Sequence, residues 1–357
     1  MRSIADTIRR LQVKNGLVDQ TRANSRLKTM PDFGSNPGNL LAWHYIPEGL
    51  STAAPLVVVL HGCTQTAADY DSGSGWSELA DRFGFALLFP EQQRSNNPNL
   101  CFNWFAAGDI KRGHGEVLSI SQMTAAVTRK YSLDSSKTFI TGLSAGGAMA
   151  AAMLATYPQV FKGGAIIAGL PYGVAANIPE AFDRMRGHGL QESDALADRV
   201  RNASDYKGPW PSVSIWHGAA DSTVDPVNME ALIAQWHGVH DLDATPTTAW
   251  VAGHAVRRWS NAEGVTVIEA HTIKGMGHGT PISTSGLDSV GRARPFMLDV
   301  GISSTWHIAN SWGLLNEERA VRPEPTRLNE LPTGQTGANR NVGKVIEDAL
   351  RSAGLMK

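Results

Sequence analysis

Only two cysteines, Cys63 and Cys101, occur in 357 residues. That excludes a scaffold built on several disulfides and any four-cysteine zinc site, and leaves one disulfide as the most the chain can form. No apolar run approaches the ~20 residues that a membrane-crossing helix needs. Neither sign of charge dominates, with 32 Lys and Arg against 33 Asp and Glu. Basic pairs such as Arg9-Arg10 and Arg257-Arg258 occur without a stripe, so no nucleic-acid partner is expected. H-E-x-x-H and C-x-x-C are missing, and His237 and His240 lack a third ligand in register. DYDSGSG (69–75) starts like a calcium loop but puts Ser74 and Ala80 where Gly and Glu are required. GSG at 73–75 is too short for a dinucleotide site, so neither a metal nor a cofactor is expected. The opening, MRSIADTIRRLQVKNG, lacks the apolar core and cleavage site of a secretory signal, which makes a cytoplasmic location the expectation.

Glycine is abundant, 36 residues, and there are ten tryptophans. Runs of apolar residues alternate with helical patterns. LLAWHYIP (40–47), APLVVVLHG (54–62), FALLFP (85–90), KTFITG (137–142), GGAIIAGL (163–170), PSVSIWHG (211–218) and VTVIEAHTI (265–273) read as strands. Between them, Trp76, Leu79, Ala80 and Phe83 recur at helical spacing with Gly84 as a C-terminal cap, and Val117, Ile120, Met123 and Val127 make another helical face. GGAMAAAMLATYP and PVNMEALIAQW are further helices. Such alternation predicts an α/β fold, a mostly parallel central sheet with helices on both faces. Residues 1–30, with Ile4, Ile8 and Leu11 on one face, read as a helical extension. Residues 31–320 read as the catalytic domain and 321–357 as a tail ending in a short helix. The proline-marked stretch 171–210 reads as an inserted lid, since long connections are usually functional.

GLSAG, Gly142 to Gly146, follows the strand KTFIT and opens a helix, the context that gives a G-x-S-x-G match its meaning. A sharp strand-to-helix turn pushes Ser144 out at the sheet edge, and the helix N-terminus behind it offers free N–H groups. A serine hydroxyl needs a base, and the base an orienting acid, in the chain order Ser, acid, His. WHGAADSTVDP offers Asp221 and Asp225; Asp225 precedes Pro226 and reads as a helix cap, so the acid is Asp221. His278 lies in KGMGHGTPI, a loop with no other sizeable polar group, after the next predicted strand. His188, His237, His240 and His254 read as structural. Two oxyanion donors are expected: the N–H of Ala145, directly after the serine, and that of Cys63 in VVVLHGCTQT, with His61 bonding the loop backbone. Trp104 is a candidate wall for the acyl chain, while Trp210, Trp216 and Trp306 read as core.

HGCTQTAADYDSGSGW, FPEQQRSNNPNLCFNWF, TGLSAGGAMAAAMLATYP and AGLPYG together resemble the poly(3-hydroxybutyrate) depolymerase family of α/β-hydrolase esterases, which includes feruloyl and acetylxylan esterases. The likeness runs from PDFGSNPGNL (31–40) to GISSTWHIANSWGL (301–314). It implies an α/β-hydrolase fold and ester hydrolysis through an acyl-enzyme on Ser144, with Asp221 and His278, and an oxyanion hole at Cys63 and Ala145. It also implies short β-hydroxyacyl esters as substrate, and a bond between Cys63 and Cys101, which a reducing cytosol would oppose. The alternatives are feruloyl or acetyl esters of plant polysaccharide, or an acyltransferase with the same triad. With no separate polymer-adsorbing domain before residue 357, soluble esters and oligomers are expected ahead of crystalline polymer.

Overall fold

Leu56–Leu60 buries all five of its side chains, which a strand can do only where both faces of its sheet are covered. The computed structural model describes residues 25–243 and 245–315 and shows what covers them. The main sheet contains β1 (Lys28–Thr29), β2 (Leu41–Tyr45), β3 (Leu56–Leu60), β4 (Ala86–Glu91), β5 (Thr138–Leu143), β6 (Gly163–Ile167), β7 (Ser212–Gly218), β8 (Thr247–Val251), β9 (His254–Ser260) and β10 (Thr266–Ile273). They lie side by side as β1-β2-β4-β3-β5-β6-β7-β10-β9-β8. The run from β4 to β10 is parallel throughout, and antiparallel pairs flank it at both ends. Two short strands, β11 (Thr280–Ile282) and β12 (Met297–Asp299), pair separately.

Eight helices are described: α1 (Ala67–Ser74), α2 (Trp76–Phe83), α3 (Gly115–Lys130), α4 (Ala145–Thr156), α5 (Ile178–Met185), α6 (Ser193–Arg201), α7 (Val227–Val239) and α8 (Ser304–Ser311). Strand side chains alternate between two apolar layers. Leu56, Val58 and Leu60 join the layer made with α3, α4, α6 and α7. Val57 and Val59 join the one made with α1, α2 and α8. In that second layer Trp312 stacks on Trp76 and on Phe139, with ring centroids 6.1 and 4.8 Å apart. Gly84 closes α2 in the left-handed region, its N–H bonded to Ala80 O, as its place after the apolar face predicts.

Three features depart from the sequence reading. Lys28–Thr29, at the end of the expected helical extension, is an edge strand on β2; the rest of that extension to residue 24, and the tail with its helix, lie outside the described residues. The stretch 171–210 divides in two. Its first half carries α5, where only Ala181 is buried, but α6 buries Leu196, Ala197 and Val200 in the core layer that holds α7 and so serves as the crossover between β6 and β7. Finally, α1 and the β8–β9 hairpin are additions.

His61, His217 and His271 are buried and His240 half-buried, and loss of hydration holds each below the ordinary imidazole value of 6.5, His240 at about 4. At these four rings the unfolded chain therefore binds protons at pH values where the folded chain does not, and the stability they contribute is lost as pH drops through 6.5. Glu116, raised to about 8 by burial, acts in the opposite sense. Between about pH 7.5 and pH 5, His240→Gln is therefore expected to lose less of its urea midpoint than the parent does.

Candidate active site

The carboxyl ends of the parallel strands are where an open α/β sheet exposes its loops, and the predicted residues meet there. Ser144 sits between β5 and α4 at φ 56°, ψ −117°, a strained conformation for a non-glycine residue. Its N–H is held by Ile167 O at 2.8 Å and its carbonyl accepts from Ala148 N–H. The flanking glycines allow the close approach. A Cβ on Gly142 would lie 2.4 Å from Gly146 O, and one on Gly146 2.4 Å from His61 O. Elbow and HGC loop therefore pack backbone to backbone.

Asp221 follows β7 and His278 follows β10, and their loops are pinned to each other. Ala219 N–H bonds Ile273 O and Ala220 N–H bonds Met276 O, both at 2.9 Å, and Gly218 leaves no room for a Cβ against Met276 O at 2.3 Å. The far side of the His278 loop is fixed by Thr280 N–H on Phe296 O. The side chains then line up. His278 Nδ1 lies 2.7 Å from Asp221 Oδ2 and His278 Nε2 lies 2.9 Å from Ser144 Oγ. Because a carboxylate only accepts, Nδ1 carries the proton and Ser144 donates to Nε2. Asp221 Oδ1 accepts from the N–H groups of Thr223 and Val224. Burial alone would raise the Asp221 carboxyl, but the His278 hydrogen bond, the two neighbouring imidazoles and the Val224 N–H outweigh it and hold the group below its ordinary value. It is ionised and fully fixed.

Asp225, the rejected acid, accepts from Val227 N–H at the start of α7, as a capping role requires. One site residue was missed. His217 on β7 is buried, bonds Val224 O at 2.9 Å, and stands 3.5 Å from Asp221 Oδ2. It supports the acid's loop from behind; a single histidine inside an apolar strand gave no signal of that. Of the other histidines, His61 lies in the HGC loop with Nδ1 2.8 Å from Gly62 O.

In the HGC loop, Gly62 N–H bonds Gln65 Oε1 and Thr64 N–H bonds Asn99 O, while among the described residues no acceptor meets the Cys63 N–H. Ala145, first residue of α4, likewise has no intrahelical partner for its N–H. Cys63 and Cys101 are joined in a disulfide across a separation of 38 residues. Removing it as Cys63→Ala/Cys101→Ala is expected to cost about 3–4 kcal/mol of unfolding free energy, read from urea titration. Trp104 is buried and packs edge-on to Phe105; Trp216 is buried face to face with His271. Among the described residues no group of three His, Cys, Asp or Glu side chains is arranged to hold a metal, and no helix is long and apolar enough to cross a membrane.

A nucleophile, a base, an ionised acid and free amides on one sheet edge suit acyl transfer. Comparison with known proteins agrees. The family model described as Esterase PHB depolymerase matches residues 41–261. The chain belongs to this esterase family. Poly(3-hydroxyalkanoate) depolymerase C of Paucimonas lemoignei is 44% identical over 292 residues, covering 81% of this chain and 70% of that one. Acetylxylan esterase A of Aspergillus oryzae is 33% identical over 279 residues, 76% of this chain and 89% of its own length. Among solved structures, the acetyl xylan esterase from Aspergillus awamori superposes with a TM-score of 0.69 at 25% identity, over 81% of this chain and 99% of that one. The chain is an α/β-hydrolase and a carboxylic ester hydrolase of the PHB depolymerase family.

Proposed function

We propose that this esterase cleaves esters of short 3-hydroxy acids, poly(3-hydroxybutyrate) or its oligomers, through an acyl-enzyme on Ser144. His278 takes the serine proton as Oγ attacks the ester carbonyl and returns it to the leaving alcohol. It then activates the water that releases the acid. Asp221 holds the imidazole in the required tautomer and stabilises its charged form, and the N–H groups of Cys63 and Ala145 receive the oxyanion. Trp104 forms part of the acyl-chain wall.

The observation that carries the mechanism is the unbroken hydrogen-bonded line from Ser144 through His278 to Asp221. The 44% identity to a poly(3-hydroxyalkanoate) depolymerase supports the substrate class over plant-wall esters. The test is product release from 3-hydroxybutyrate dimer, trimer and amorphous polymer, beside methyl ferulate and acetylated xylan. Cleavage of the hydroxybutyrate esters with little on the others is expected; a preference for ferulate or acetyl groups keeps the mechanism and overturns the substrate. The Cys63–Cys101 bond favours an oxidising compartment over the cytoplasm as the place of work, and thiol titration of the enzyme from its native source tests that.

A further inference from the structure

The loop that carries the Cys63 amide is gripped from behind by the end of β4. The Gly62 carbonyl and the Cys63 N–H belong to one planar peptide group, so whatever fixes Gly62 O also aims the Cys63 N–H. His61 Nδ1–H donates to that carbonyl at 2.8 Å. His61 can do so because its other nitrogen is occupied: Nε2 accepts the main-chain N–H of Gln92 at 3.1 Å. Burial keeps the ring uncharged and so preserves this tautomer.

Gln92 is itself fully used. Its Nε2 donates to Cys101 O at 3.0 Å and to Glu116 Oε1 at 2.5 Å, and its Oε1 accepts from Gln93 N–H and Asn96 Nδ2 at 2.9 and 2.8 Å. Cys101 is the residue bonded to Cys63. Glu116, from the first turn of α3, completes the clamp by accepting Asn103 N–H at 2.9 Å. The preceding residue reinforces the same end: Glu91 Oε2 accepts Ala67 N–H at the start of α1, just beyond the loop.

We infer that Gln92 is a positioning residue for the Cys63 oxyanion donor, its side chain holding Cys101 on one side of the loop and fixing in place its own main-chain N–H, which holds His61 on the other. Buried at the end of a sheet strand and held by four side-chain hydrogen bonds, it transmits the rigidity of the sheet to a peptide plane in the site. The inference rests on the Cys63 amide acting as an oxyanion donor in the proposed mechanism. An amide that has drifted still lets substrate bind but meets the tetrahedral intermediate badly, so the loss falls on the chemical step.

The test is Gln92→Met, which keeps the length and removes all four side-chain bonds. On a soluble 3-hydroxybutyrate ester or p-nitrophenyl acetate, kcat is expected to fall about 10- to 100-fold with KM within about twofold. The inhibition constant of phenylboronic acid, whose tetrahedral adduct places an oxygen in the same hole, is expected to rise in step. Titration with diethyl p-nitrophenyl phosphate should still label one serine per folded chain. An unchanged kcat, or a loss that merely tracks the labelled fraction, overturns the inference. Should Gln92→Met fail to fold, His61→Ala removes the clamp on Gly62 O, and the same split between kcat and KM is required of it. Full turnover by Ser144→Ala would instead sink the mechanism itself, whatever Gln92 does.

Discussion

Ester turnover by Ser144→Ala is expected to fall by about four to six orders of magnitude, with the fold intact and substrate still bound. Only one oxygen is lost, while the Cys63 and Ala145 amides and the His278–Asp221 pair remain, so a small residual rate above water should persist. A variant within tenfold of the parent would overturn the assignment of the nucleophile. Stability offers a second, opposite reading of the same position. Ser144 holds φ 56°, ψ −117°, where glycine carries no Cβ penalty and alanine does. Ser144→Gly should therefore unfold at higher urea than Ser144→Ala, by about 1–3 kcal/mol. Lost activity joined to gained stability would mark this turn as strained for the sake of its hydroxyl; equal stability would remove strain from the account.

The second large effect is at Asp221. Asn in its place presents an amide to His278 Nδ1, which no longer finds a pure acceptor, and the ring loses the tautomer that leaves Nε2 open to Ser144 Oγ. A fall in kcat of about 10³- to 10⁴-fold is expected with KM little changed. Asp225→Asn, four residues on, is the matched control. Asn still accepts Val227 N–H and caps α7, so turnover should stay at the parent level. If the two variants lost activity equally, the acid would have been assigned to the wrong carboxylate.

That choice between Asp221 and Asp225 shows what the sequence makes legible. A carboxylate before proline at a helix start has a local use, and local uses can be read from neighbours. The same holds for the elbow around Ser144, whose glycines serve contacts within five residues and against one loop, and for strands such as Leu56–Leu60, whose unbroken apolar character demands burial on both faces. The β8–β9 hairpin escaped because it closes the sheet at one edge. Thr247–Val251 has no buried residue, so no clean alternation marks it. The helix Ala67–Ser74 is written in turn-forming residues; Thr66 caps it, and burial of Tyr70 and Asp71 overrides their preference. His217 and Gln92 were invisible for a further reason. Their partners are polar groups brought near by the fold, as with Gln92 and His61, 31 residues apart, and nothing in either local pattern distinguishes such a residue from any buried polar side chain.

The spacing of the catalytic side chains along the chain also bears on how the enzyme becomes active. Ser144 and His278 are 134 residues apart, and Asp221 and His278 57. A chain ordered only as far as β6 would already own its elbow and both amides yet lack acid and base. The base arrives only when β10 has docked beside β7 and the loop after it has closed on Ala220. Contacts of such separation form late, because the long intervening loop must be ordered first. During refolding, return of ester turnover should therefore lag return of helical circular dichroism, making hydrolysis a gauge of the last stage of assembly.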